Sequence, residues 1–66
     1  MKIYFLELDN DKILLLCDNI DTISKLLNLD IKENKYLFFH KNNLSKYTHF
    51  LNHKGYICYY DKQSQL

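Results

Sequence analysis

Arginine, alanine, valine, proline and tryptophan are absent from this 66-residue chain, and glycine occurs once, at Gly55. A lone glycine cannot build a phosphate-cradling loop, which excludes the glycine-rich nucleotide motifs. Neither Cys17 nor Cys58 belongs to a C-x-x-C pair, so a paired-cysteine zinc site has no signature here. No apolar run is long enough to cross a bilayer. Met1 to Leu6 is followed at once by Glu7 and Asp9, which also disqualifies it as a secretory h-region. An excess of either charge is missing as well: nine Lys face eight Asp plus Glu, a formal net charge of +1, scattered singly. No basic arm, acidic tail or DNA-mimicking surface follows from such a pattern. The length excludes two-domain enzymes, repeat arrays and clefts between lobes, and implies one small domain over residues 1–66, with a polar tail from roughly 61.

What is present is an apolar fraction of 47%, rich in Ile, Leu, Tyr and Phe. That is too much for a disordered chain. The bias toward Lys, Asn, Ile, Tyr and Phe is what an AT-rich coding sequence produces, so Lys in place of Arg reflects a genome more than a function. A cytoplasmic protein of a low-GC microbial host, or of one of its mobile elements, is expected. In a reducing cytosol Cys17 and Cys58, each within an apolar strand-like run, are expected to be two buried thiols rather than a disulfide.

Lys2 to Leu8 and Lys12 to Cys17 are strand-like runs joined by Asp9-Asn10-Asp11, whose side chains suit a turn, and predict an N-terminal hairpin. Asp18 to Asp21 offers an N-cap and first-turn acid, and Ile20, Ile23, Leu26 and Leu27 recur at helical spacing, predicting a helix from about Asn19 to Leu27 that ends at Asn28. Asp30-Ile31-Lys32-Glu33 has the form of a second capping box, opening either a helix or a turn. Periodicity leaves 31–38 open between helix and strand, although Tyr36 to His40 is aromatic and unbroken and reads as a strand. Leu44, Tyr47 and Leu51 then give a second amphipathic helix, Gly55 its left-handed terminus, and Tyr56 to Tyr60 a last strand. The expected fold is α+β: an antiparallel sheet of about four strands, in the order ββαβαβ, with two short helices on one face.

A sheet covered on one side should alternate apolar and polar residues. These strands do not. Tyr4, Leu6 and Leu8 oppose Ile3 and Phe5; Leu14 and Leu16 oppose Ile13, Leu15 and Cys17; Tyr36 and Phe38 oppose Leu37 and Phe39; Ile57 and Tyr59 oppose Tyr56, Cys58 and Tyr60. Two helices of about ten residues cover one face, so the other needs a partner protein or a second copy of the chain. The candidate anchors are Tyr4, Tyr36, Phe38, Tyr56, Tyr59 and Tyr60.

Chemistry has fewer candidates. His49 and His53, four apart on a helix, could face one metal ion with Cys17 or Cys58, but they fall on the polar side and read as surface histidines. Cys17 with a histidine, or His40 with Asn42 and Asn43, are the only nucleophile or base combinations, and nothing in their spacing singles them out. No catalytic residue, metal or cofactor is expected, and the chain is read as a non-enzyme.

Ile23 to Asp30 resembles the first helix and turn of helix-turn-helix proteins, with Asn28 where that family usually has Gly and Asp30 at the second N-cap. Lys54 to Tyr60 resembles the final strand of small phage and mobile-element reading frames that carry such a unit behind a hairpin. The resemblance implies DNA binding, with the Leu44 to Leu51 helix in the major groove and Lys41, Asn42, Asn43, Lys46, His49 and Lys54 as contacts. Without Arg, which most often reads guanine, this is the second reading. The first is a small non-enzymatic regulator or inhibitor that blocks a host macromolecule through its aromatic sheet face, alone or as a homodimer; in size and composition it is similar to small phage inhibitors, anti-CRISPR proteins among them.

Overall fold

The computed structural model describes residues 1–31 and 36–62. The chain runs β1 (Lys2–Glu7), β2 (Lys12–Leu16), α1 (Ile20–Leu27), β3 (Leu37–His40), a 3-10 turn (Lys41–Asn43), α2 (Leu44–His53) and β4 (Ile57–Lys62). The fold is α+β, a four-stranded sheet in the order β3-β2-β1-β4 with two helices. The 3-10 turn interrupts the simple ββαβαβ order, and the second capping box falls largely on 32–35, outside the described residues. Asp61 and Lys62, expected in the tail, belong to β4.

The sheet is mixed, not antiparallel throughout. β1 pairs antiparallel with β2, and β2 with β3, but β4 lies parallel to β1, from Lys2 opposite Ile57 to Glu7 opposite Lys62. The cause is α2. Ten helical residues carry the chain about 15 Å back to the end of the sheet where β3 began. β4 must therefore start in the direction of β3, which is also the direction of β1, and a helix between two strands is the usual parallel crossover.

Turn chemistry sets the boundaries. Asn10 and Asp11, at φ 62° and 57°, carry the hairpin through the left-handed region that Asn and Asp tolerate. Both helices end in the same left-handed motif. After α1, Asn28 (φ 56°) donates its N–H to the Lys25 carbonyl and Leu29 to that of Ser24; after α2, Gly55 (φ 100°) donates to Asn52 and Tyr56 to Leu51. These 5→2 and 6→1 bonds satisfy carbonyls a helix end leaves free, and they turn the following apolar residue, Leu29 or Tyr56, back toward the core.

The core lies between one face of the sheet and both helices. Ile3 and Phe5 of β1, Ile13 and Leu15 of β2, and Leu37 and Phe39 of β3 pack with Ile23 and Leu27 of α1 and Leu51 of α2. Phe39 meets the edges of Phe5 and Tyr47 at 5.6 and 4.9 Å between ring centroids, the edge-to-face geometry that aromatic quadrupoles favour.

Candidate protein-docking face

Strand register places the residues that alternate with the core on the opposite side of the sheet, where they form rows. Leu16, Tyr4 and Tyr59 lie side by side across β2, β1 and β4, and Tyr36 extends this row one step past the last β2–β3 pair. The next row is Phe38, Leu14, Leu6 and Asp61. Ile57 sits beside Lys2, and Lys12 beside His40, at the two ends. Among the described residues nothing packs over this face. Tyr4, Leu16, Tyr36, Ile57 and Tyr59 are between 39 and 53% exposed, and Leu6, Leu14 and Phe38 are half-buried by their neighbours.

The face is ordered by its own contacts. Tyr4 and Tyr59 stack at 5.2 Å, and Tyr36 tilts against Phe38 at 6.1 Å. A hollow of about 460 Å³ opens at one end, between Met1, Lys2, Tyr4, Leu16, Cys17 and Asp18. Half-exposed aromatics of about 150–250 Å² each, with the aliphatic residues between them, make an apolar patch on the order of 500 Å². That is near the top of the range of roughly 300–600 Å² for the largest patch on a typical monomer.

Of the six anchor candidates, the fold brings four to this face: Tyr4, Tyr36, Phe38 and Tyr59. Tyr56 is half-buried against the core, turned inward by the helix-ending motif. Tyr60 is on the helix side, where its hydroxyl donates to Oε1 of Glu7. Leu6, Leu14, Leu16 and Ile57 complete the patch although none is a tyrosine. Parity along the strands marks them, whereas a search for aromatics passes over them.

Glu7 is a further residue outside the candidates drawn from the sequence. It continues the Ile3, Phe5 alternation into the core side of β1 and is 8% exposed. Its carboxylate accepts from Lys41 Nζ at 3.0 Å and from Tyr60, so it ties the edge strand β4 and the 3-10 turn to the end of β1. Lys41 is thus paired within the molecule, with its side chain 46% exposed.

The other basic and amide candidates are dispersed along α2. Asn42 donates its backbone N–H to Nδ1 of His40 at 3.0 Å, and Asn43 precedes the helix without a side-chain cap bond. Lys54, at the far end, lies 5.5 Å from the centre of the Phe50 ring. Lys46, His49 and His53 line a groove between α2 and the end of α1. Among the described residues no three His, Cys, Asp or Glu side chains come together as metal ligands. Among the described residues, 29–31 are not helical and the helix that follows α1 is α2, Leu44–His53.

Cys17 and Cys58 are free and half-buried. Cys58 pairs with Ile3, and Cys17 stands one step past the Tyr4–Leu16 pair, on the opposite flank of β1. Two strand spacings, about 10 Å, separate them, beyond the reach of a disulfide. Burial pushes both thiols above their ordinary value; for Cys17, Asp18 adds to the rise and a hydrogen bond at Asn19 opposes it.

No protein-family model matches the chain, and no curated protein or solved structure is significantly similar to it. No helix among the described residues is long and apolar enough to cross a membrane.

Proposed function

We propose that the protein is a non-enzymatic binding module that acts by covering a surface of another protein, as a small phage or mobile-element inhibitor of a host macromolecule would. The observation that carries this reading is the open sheet face. Eight apolar side chains stand on it in register, and charge is confined to its margin at Lys2, Lys12 and Asp61. An interface core is depleted of charge and rich in aromatics in the same way. The hollow beside Tyr4 and Leu16 supplies a socket for an anchoring side chain. With its charged rim the face approaches the roughly 800 Å² per partner of a standard interface. The nucleic-acid reading has less support, because Lys41 is paired with Glu7 and the other basic candidates, Lys46, His49 and Lys54, are strung along α2.

The test is capture of host proteins on the tagged chain, with nuclease present, compared among wild type, Tyr59→Asp and Lys46→Glu. A stoichiometric protein retained by wild type and Lys46→Glu but lost with Tyr59→Asp is the expected result. Loss with Lys46→Glu alone, or capture that depends on nucleic acid, overturns it.

A further inference from the structure

We infer that the outer edge of β4 pairs with the same edge of a second copy, antiparallel about a two-fold axis at Tyr59, joining two sheets into one. The pairing goes beyond the proposed function and does not rest on it, because the open face stays uncovered and only becomes wider. β4 closes the sheet on one side and β3 on the other. β3 is four residues long and runs straight into the 3-10 turn, whereas all six residues of β4 follow β1 without a bulge. Prolines, bulges and charges along the strand are what blunt natural edges. β4 has no proline, and its charges, Asp61 and Lys62, are confined to its last two positions.

Hydrogen-bond phase fixes what this edge offers. Ile57 donates its N–H to the Met1 carbonyl, across to β1. Successive residues of a strand turn their backbone groups to alternate sides, so Ile57, Tyr59 and Asp61 face β1. The N–H and carbonyl of Cys58 and Tyr60, the Lys62 N–H and the Tyr56 carbonyl therefore face outward, and among the described residues they have no partner. With the axis at Tyr59, Cys58 exchanges both N–H···O bonds with Tyr60 of the second copy, and Lys62 donates to the Tyr56 carbonyl of that copy.

The side chains favour a second copy in this register, since directly opposed residues share a face. Tyr59 meets Tyr59 of the second copy at a non-hydrogen-bonded pair, where side chains approach most closely, and the row Leu16, Tyr4, Tyr59 continues through the axis into the same row reversed. Asp61 falls opposite Ile57 of the second copy, in one row with that copy's Lys2, so opposite charges share the row and no charge faces its like. On the helix side, Ser45, Thr48, His49 and Asn52 of α2 line, with Tyr60, a hollow of about 360 Å³ beside the edge. That lining has no lysine or carboxylate, so two such flanks meet across the axis without repulsion between ionised chains. An axis at Tyr60 would instead shorten the overlap to 58–62 and set Tyr59 against Asp61.

A single strand pairing falls below the standard interface of about 1,600 Å², so the dimer forms toward millimolar concentration. Amide exchange of the intact, isotope-labelled protein tests it at about 20 μM and about 1 mM. The Cys58, Tyr60 and Lys62 amides should exchange at least about tenfold more slowly in the concentrated sample, and Tyr59 and Asp61, bonded to β1, should be protected in both. Tyr59→Cys should be trapped as a covalent dimer by air oxidation, with the link located at position 59 by peptide mass spectrometry, because the Cα atoms of such a pair lie about 4.5 Å apart, within disulfide range. Leu16→Cys should not, since five strand spacings, about 24 Å, separate that position from its counterpart. A monomer at about 1 mM, a dimer whose Cys58 and Tyr60 amides stay unprotected, or cross-linking at position 16 in place of 59 would each overturn the inference.

Discussion

Two residues in the left-handed region, Asn28 and Gly55, decide where the helices stop and therefore where the next segments begin. An L-residue with an ordinary side chain pays roughly 1–2 kcal/mol there, and Asn pays less because its short amide bonds locally. Asn28→Ala should cost about 1 kcal/mol in urea denaturation, while Asn28→Gly should cost nothing. Gly55→Ala should cost as much or more, although a Cβ at Gly55 meets no atom within 4 Å. The penalty there is backbone conformation rather than crowding, so enlarging the residue further should add little. The thiols offer a second test. Burial raises the pKa of Cys17 and Cys58 above that of an ordinary thiol, so the folded chain keeps both protons at pH values where the unfolded chain begins to lose them. At pH 8 the thiolate fraction is therefore smaller in the native state, and alkylation should run slower than in the urea-unfolded chain. By linkage, the stability tied to these protons is intact below the ordinary thiol value and is lost as the pH rises through the raised native values.

Elements were legible in proportion to how local their causes are. The hairpin at Asp9 to Asp11, the α1 terminus at Asn28 and the α2 terminus at Gly55 announce themselves through turn residues, and the structure places elements on both sides of each. The parallel pairing of β4 was not legible from the strand itself, because nothing in Ile57 to Lys62 states its direction. It becomes so once the α2 crossover is taken into account. Tyr56 shows the same limit: its parity assigns a side, but only the helix-ending hydrogen bonds fix its place against the core. Glu7 was missed because a carboxylate at the end of an apolar strand looks like a solvent-facing terminus until Lys41 and Tyr60 are seen to meet it. The period-two argument that did expose the second face can be tested on adjacent residues. Leu15 is 1% exposed in the core and Leu16 is 39% exposed on the open face. Leu15→Glu should abolish the cooperative unfolding transition, since a buried unpaired carboxylate costs more than a chain this small can spare. Leu16→Glu should leave far-UV dichroism unchanged and shift stability by less than about 1 kcal/mol.

At the scale of the whole molecule, nine buried apolar side chains among the described residues form one core, and a domain of 66 residues retains only a few kcal/mol of net stability. The uncovered face makes that margin sensitive to association. A protein that binds the native state and not the unfolded one raises apparent stability by mass action, and a second copy is the one partner present in every preparation. If two chains meet through Leu16, Tyr4 and Tyr59, the wild-type urea midpoint should climb as protein concentration rises from micromolar to near-millimolar. Sedimentation should move over the same range from the 8.0 kDa monomer toward twice that mass. Tyr59→Asp, which puts a charge in the middle of the stacked row, should hold both readings at their dilute values without unfolding the chain. A wild-type midpoint that stays flat with concentration would free the face from self-association and leave it wholly to a different protein. The steric mechanism would then operate with a monomer, and the partner's affinity could be measured without a competing dimer equilibrium.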